Sequence, residues 1–230
     1  MDKCLIIARY NENINWVNKH KDFKIIIYNK GDKLIENEYF KVVNLKNIGR
    51  ESHTWLHHIV INYNNLDNIN IFLQGRLDDL NCMAYLNPND YVKKINKYGF
   101  SVRRYGLLGP FHWDWNVGVN KDERYKKQWL NDEISKSELG FRNFSKKFFP
   151  KIPYFVATSY SGCFAVKKEN ILKHDINFYK ELLNILGKSK NPIEGHYLER
   201  LWCYMFTRNK PLLESSLDVI KTKIERYKIW

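Results

Sequence analysis

The stretch "INIFLQG", residues 69–75, decides the fold. It is short, nearly all apolar, and closed by Gln74 and Gly75. A strand apolar on both faces belongs in the middle of a sheet that is covered on both sides. Just before it, "ESHTWLHHIVINYNNL" (51–66) carries Trp55, Leu56, Ile59, Val60 and Tyr63 at helical spacing. Further back, "KCLIIARY" (3–10), "FKIIIYNKG" (23–31) and "KVVNLKN" (41–47) are β-branched runs ended by turn residues, and read as strands. "ENINWVNKH" (12–20) reads as a short helix between the first two. The order β-α-β-β-α-β predicts an α/β domain with a mixed, mostly parallel sheet flanked by helices.

Beyond Gly75 the pattern weakens. "NPNDYVKKINKYG" (87–99) and "KDERYKKQWLNDEIS" (121–135) read as helices around a Gly- and aromatic-rich segment, "FSVRRYGLLGPFHWDWNVGVN" (100–120). A connection this long in a compact domain is usually a lid or binding loop. "FVATSYSGCFAVKKENILKH" (155–174) reads as strand, tight turn, strand and helix start. "FYKELLNILGK" (178–188) and "GHYLERLWCYMF" (195–206) read as amphipathic helices, and "DVIKTKIERYKIW" (218–230) as an outer strand or helix. Without repeats, low-complexity tracts or a linker, the 230 residues read as a single domain.

Composition narrows the class. Hydrophobic residues at 44% exclude a disordered chain. The net charge of +13 attracts polyanions such as nucleic acid, anionic membranes or nucleotide diphosphates. Its cations are spread out, with no basic helix or known nucleic-acid motif, so nucleic acid is the disfavoured partner. The excess of Lys, Asn and Ile also fits an AT-rich coding genome. Cys4, Cys82, Cys163 and Cys203 form no CxxC pair and read as buried free thiols. The start "MDKCLIIARYNEN" has too short an apolar run for a signal peptide, and no run reaches the roughly 20 residues of a membrane span. A soluble cytoplasmic protein is expected.

Chemistry-bearing residues gather where strands end, which in open α/β sheets is where ligands bind. Arg9, Tyr10, Asn11 and Glu12 follow the first strand. Tyr could stack on a ring, Asn could fix its polar edge and Arg could meet a phosphate; alternatively this is a polar turn with an Asn cap. Gly49, Arg50 and Glu51 open the helix before "INIFLQG", where free N–H groups and a guanidinium suit an anion. The alternative there is capping by Glu51 and Ser52. His53 and His57 share a helix face, but the HExxH pattern and further ligands are missing, so the three histidines read as core residues rather than zinc ligands.

After the buried strand, Gln74 and Arg76 are candidate ligand contacts, and Asp78 and Asp79 a candidate carboxylate pair for Mn²⁺ or Mg²⁺ against a diphosphate. A solvated turn is the alternative. His112, Trp113, Asp114 and Trp115 combine rings and a carboxylate, which suits carbohydrate or, equally, a loop covering the core. Glu194, His196 and Glu199 lie close together, and a carboxylate here could act as general base toward a hydroxyl; an ion pair of Glu199 with Arg200 is the alternative.

"IIARYNENINWV", "NIGRESHTWLHHIVINYNNLDNINIFLQG" and "GCFAVKKENILKH…YLERLWCYMF" together resemble a family known as a domain of unknown function. More distantly, the layout is similar to GT-A glycosyltransferases, the nucleotide-diphospho-sugar transferases. That resemblance implies a nucleotide-binding half (1–80) and an acceptor half (81–230) with a long central loop. It sets "YNE" (Tyr10–Glu12), "SGCFAV" (Ser161–Val166) and the acidic helix residue Glu199 at that fold's landmarks. Where Asp-x-Asp is expected, the chain has Gln74-Gly75-Arg76. The implied roles are nucleotide contacts from Arg9, Tyr10, Asn11, Glu12, Gly49, Arg50 and Glu51. Gln74, Arg76 and the Asp78–Asp79 pair would meet diphosphate or sugar. His112, Trp113, Asp114 and His196 would line the acceptor side, with Glu199 and Asp114 catalytic. The implied reaction moves a sugar from a nucleotide-diphosphate sugar to a hydroxyl acceptor. A non-catalytic carbohydrate- or nucleotide-binding module and a nucleic-acid-binding protein are the competing classes.

Overall fold

A computed structural model describes residues 2–78, 84–95, 97–109, 127, 131, 134, 135, 137, 139–159 and 161–209. β1 (Lys3–Arg9), β2 (Lys24–Asn29), β3 (Lys41–Asn44) and β4 (Ile69–Gln74) form the first half of the main sheet. β5 (Phe100–Ser101) and β8 (Phe164–Lys167) complete it, in the order β3-β2-β1-β4-β8-β5. β6 (Gly106–Leu108) and β7 (Val156–Thr158) pair separately. β1 runs parallel to both β2 and β4, and β3 parallel to β2; β8 joins β4 and β5 antiparallel. The sheet is therefore mixed, with its parallel part read correctly from the alternation of strands and helices.

"INIFLQG" lies mid-sheet with Ile71, Phe72 and Leu73 fully buried. Successive side chains point to opposite faces, so neighbouring residues enter different cores. On one face Cys4, Ile6, Tyr28, Phe72 and Phe164 pack with α1 (Arg50–Ile61), α3 (Phe141–Phe148), α5 (Ile176–Leu186) and α6 (Ile193–Thr207). On the other, Leu5, Ile7, Ile27, Ile71 and Leu73 pack with Val17 and with Tyr91 of α2 (Pro88–Lys93). A short α4 (Lys168–Ile171) follows β8. Among the described residues, no helix is long and apolar enough to cross a membrane. Cys4, Cys163 and Cys203 are buried and free, as expected, while Cys82 lies outside the described residues.

Several local expectations are corrected. "ENINWVNKH" forms only a 3-10 turn over Asn15–Lys19. The helix after Gly49 ends at Ile61, and Tyr63–Asn65 is a further 3-10 turn. The expected long helix at 87–99 is the six-residue α2. The strands of "FVATSYSGCFAV" do not pair with each other: β7 joins β6 and β8 joins the main sheet. α3 went unread, although Phe141, Phe144 and Phe148 sit at i, i+3 and i+7, a helical stripe that packs on Tyr197 and Phe178.

The three histidines of α1 are supporting residues. His58 is buried, its Nδ1 2.9 Å from the Tyr28 hydroxyl. His53 and His57 stack with ring centroids 6.2 Å apart. Burial pushes the His58 imidazole down to about 3 and that of His53 to about 4, from ordinary values near 6.5. Both rings are neutral at pH 7. As pH falls below 6.5 the unfolded chain protonates these histidines, whereas the folded chain resists until about 4 and 3. The unfolded state then binds more protons, so stability drops with acidification, by about 1.4 kcal/mol per pH unit for each histidine inside its window. Thermal melts between pH 7.5 and pH 5 are expected to show a falling Tm, and His58→Asn to flatten that slope. An unaltered slope in the variant would contradict the assignment.

Candidate functional site

The chain leaves β1 toward β2 on one side, while β4 pairs with β1 on the other. This divergence opens a crevice at the carboxyl ends of β1 and β4, the place where open α/β sheets bind ligands. A cleft of about 510 Å³ lies there, lined by Tyr10, Asn11, Glu12, Asn13, Arg76 and Asp78. Its walls are fixed by backbone bonds. Glu12 Oε2 accepts from the Tyr10 N–H at 2.6 Å, and Asn11 Oδ1 from the Asp32 N–H at 2.7 Å. Gly75 is pressed against Glu12: a Cβ there would lie 2.9 Å from Glu12 Oε2. The Tyr10 ring is half-exposed at the rim.

Arg9 is engaged in bonds within the fold. Its Nε donates to the Glu12 carbonyl at 3.1 Å, and its Nη1 to Asn29 Oδ1 at 2.6 Å and the Asp32 carbonyl at 3.2 Å. It ties the loops after β1 and β2 together and holds the cleft wall. Arg76 donates to Asp78 at 2.9 Å, and that bond lowers the exposed carboxyl below the usual range. Asp79, the other candidate metal ligand, lies outside the described residues. So do His112, Trp113, Asp114 and Trp115. Among the described residues, no group of three His, Cys, Asp or Glu could hold a metal ion.

A second polar cluster lies on the other side of the β4 terminus. Gly49 and Arg50 both have positive φ, 62° and 49°, so α1 starts from a left-handed turn. Such backbone costs a non-glycine residue free energy and persists where the surroundings enforce it. Here the Gly49 N–H donates to the Ser189 carbonyl at 2.9 Å. The Lys30 ammonium, just past β2, donates to the Ile48 carbonyl at 2.7 Å and to the Arg50 carbonyl. Burial pushes that ammonium down to about 8, with Glu51 opposing the shift. The turn delivers Glu51 to the edge of the sheet. No side chain caps α1: Ser52, the alternative cap, instead donates to the Gly195 carbonyl of α6 at 3.3 Å.

Glu51 and Gln74 meet over Gly162. A Cβ on that glycine would lie 3.3 Å from Gln74 Nε2 and 3.3 Å from Glu51 Oε1. The Trp55 indole N–H holds the Gly162 carbonyl at 3.0 Å. Ser159 of the same turn donates to the Glu199 carbonyl of α6 at 3.4 Å. Glu199 Oε2 is 3.9 Å from His196 Nδ1 and 3.9 Å from Arg200 Nη1. Burial raises the Glu199 carboxyl, but His196, Arg200 and Arg50 together outweigh it and leave it below its ordinary value. Glu199 is therefore a carboxylate at neutral pH, able to accept hydrogen bonds from hydroxyls. The guanidinium Nε of Arg50 lies 3.7 Å from Glu51 Oε2.

Arg50, Glu51, Gln74, His196 and Glu199 thus gather in one cluster, and Tyr10, Asn11, Glu12, Arg76 and Asp78 in the neighbouring cleft. Gly49 forms the turn behind the first, and Arg9 braces the second. Gly195 lies inside α6, where its carbonyl accepts the Ser52 hydroxyl. Lys30 was missed, since nothing in "YNKG" marks one lysine as buried. Gly162 was missed as a wall of the site, although a glycine between two strand runs is a signal of close approach.

Fold and cluster define a class: a single α/β domain with a mixed sheet and a polar site at the carboxyl edge, on the switch point. The chain belongs to the family described as a protein of unknown function (DUF3431), whose model matches residues 5–217. No curated protein and no solved structure matches the chain.

Proposed function

We propose that the protein is a GT-A-like glycosyltransferase that binds a nucleotide-diphosphate sugar at the switch-point cleft and passes the sugar to a hydroxyl. The observation that carries this reading is the convergence of Glu51, Gln74 and Glu199 beside the cleft of Tyr10–Asn13 and Arg76. In this reading the Tyr10 ring stacks on the base, and Arg76 and Arg50 meet the diphosphate charge that develops as the bond to the sugar breaks. The acceptor oxygen bonds to the anomeric carbon, the diphosphate leaves with the bond electrons, and Glu199 takes the hydroxyl proton if the reaction inverts. Asp78 is paired with Arg76, and in this reading the guanidinium supplies positive charge beside the diphosphate where Mn²⁺ or Mg²⁺ would otherwise supply it.

A panel of nucleotide-diphosphate sugars, each with and without Mn²⁺, tests the reading by thermal shift. A true donor at 100 times its Kd stabilises the fold by about 2.7 kcal/mol and raises Tm. A flat panel would sink the proposal. One observation favours a second reading, a carbohydrate- or nucleotide-binding module without transfer: a carboxyl held low, as in Glu199, is a weak base. Ligand-induced stabilisation with no release of nucleoside diphosphate in the presence of acceptors would select it.

A further inference from the structure

The net charge of the chain is +13. Two segments meet at the amino end of α1: "NLKNIGR" (44–50) and "NILGKSKN" (184–191). They are joined by the Gly49 N–H to Ser189 carbonyl bond at 2.9 Å, and they approach so closely that a Cβ on Gly49 would lie 2.7 Å from the Leu186 carbonyl oxygen. Neither segment contains a carboxylate. Together they present Lys46, Lys188 and Lys190, all exposed, beside Arg50, whose side chain is 49% exposed. Among the described residues, none of these three lysines pairs with a carboxylate. The nearest acids in sequence are Glu51 and Glu194, at the starts of α1 and α6, and Glu181 on α5, which pairs with Lys147 at 2.7 Å.

An unneutralised group of cations raises the local concentration of anions and steers them to the adjoining surface. Arg50 is shared: it flanks the rim on one side and reaches Glu51 on the other. Arg50 therefore joins the lysines to the edge of the cluster of Glu51, Gln74 and Glu199. The two segments contain no aromatic ring on which a nucleobase could stack, the main sequence-tolerant contact to single-stranded nucleic acid. They are instead rich in amides, with Asn47 and Asn184 in reach of solvent, and an amide pairs well with sugar hydroxyls.

We infer that Lys46, Lys188, Lys190 and Arg50 form a docking rim for an anionic carbohydrate, one carrying sulfate or phosphate groups. As the identity of the acceptor this rests on the transferase reading above; as a binding surface it stands alone.

Fluorescence anisotropy with a labelled, highly sulfated hexasaccharide at fixed salt tests it. The comparison uses the triple variant Lys46→Glu, Lys188→Glu and Lys190→Glu against a control triple at Lys19, Lys21 and Lys41. These are likewise exposed, and they precede β2 or open β3 at the amino edge of the sheet. Both triples change net charge equally. The rim triple is expected to weaken binding about tenfold or more, and the control triple less than about threefold. The neutral Gln triple at the rim, expected to give a smaller loss in the same direction, covers the case in which charge reversal harms folding. Equal losses in rim and control would mean a diffuse field and overturn the rim. So would a wild-type protein that ignores the hexasaccharide. A single-stranded oligonucleotide of the same charge that binds more tightly through the same lysines would replace carbohydrate with nucleic acid. Failure of the donor panel alongside a positive rim result would reject the transferase reading and leave the surface standing.

Discussion

Trp55→Ala is expected to destabilise the fold by about 3–5 kcal/mol, the range for removing a large buried aromatic side chain. Trp55 is fully buried between α1 and the sheet, its ring 5.3 Å from that of Phe72 on β4. Its indole N–H also holds the Gly162 carbonyl at 3.0 Å, so the variant leaves that carbonyl without its donor. Chemical denaturation measures the loss. Trp55→Phe separates its two parts: it keeps most of the apolar volume and removes the hydrogen bond. A cost for Phe below about 1 kcal/mol would mean that the bond contributes little and that packing alone places the Gly162 turn. Because Glu51 and Gln74 lie against that turn, the Phe variant should also weaken any donor that the thermal-shift panel reveals, even where the fold survives.

The second large effect concerns Glu199. Glu199→Gln retains the size of the side chain and the backbone bond from Ser159, and removes the negative charge facing His196 and Arg200. If Glu199 takes the acceptor proton, transfer should fall by about 10²–10⁴-fold, the usual contribution of a positioned general base. Donor binding should change little, since the nucleotide cleft of Tyr10–Asn13 lies on the other side of the β4 terminus. Steady-state kinetics with separate binding measurements would read the two effects independently. A variant that loses donor affinity and transfer in parallel would make Glu199 a binding residue, not a base. The low-lying carboxyl adds a pH signature. Its folded-state value is depressed, so its contribution to stability is present above the ordinary carboxylate range and is lost as pH falls through the folded value.

Much of the scaffold was legible because it is written in local periods. β-Branched runs and the near-continuous apolar "INIFLQG" identify strands, and Trp55, Leu56 and Ile59 identify the buried face of α1. The misreadings arose where length or partner choice, rather than period, decided the outcome. "ENINWVNKH" has polar helical character but buries only Ile14 and Val17 firmly, one at the start of the turn and one within it, which supports one 3-10 turn and no more. "FVATSYSGCFAV" contains two good strands, yet nothing within them specifies that one joins β6 and the other β4.

The candidate site divides in the same way. Its carboxyl-edge location follows from strand order, and the residues after β1, at the start of α1 and after β4 were legible as a group. Their individual roles were not. Arg9 and Asp78 look alike in sequence as charges near a strand end, but one is locked into the loop after β2 and the other paired in solvent. Lys30 looks like any surface lysine until the turn of Ile48 and Arg50 closes over it.

The amino-acid sequence by itself therefore determined an α/β domain, its central strand and the edge at which polar residues collect, because hydrophobic period and turn chemistry are local properties of the chain. Only the tertiary structure decided that Glu51 and Gln74 meet over Gly162, that the same turn is bonded to α6 at Glu199, and that Arg9 and Lys30 tie neighbouring loops together. Those relations join segments from about 20 residues apart, as Arg9 and Asn29, to more than a hundred, as the Trp55–Gly162 bond does. Such contacts are set by packing in three dimensions, and no spacing along the chain encodes them.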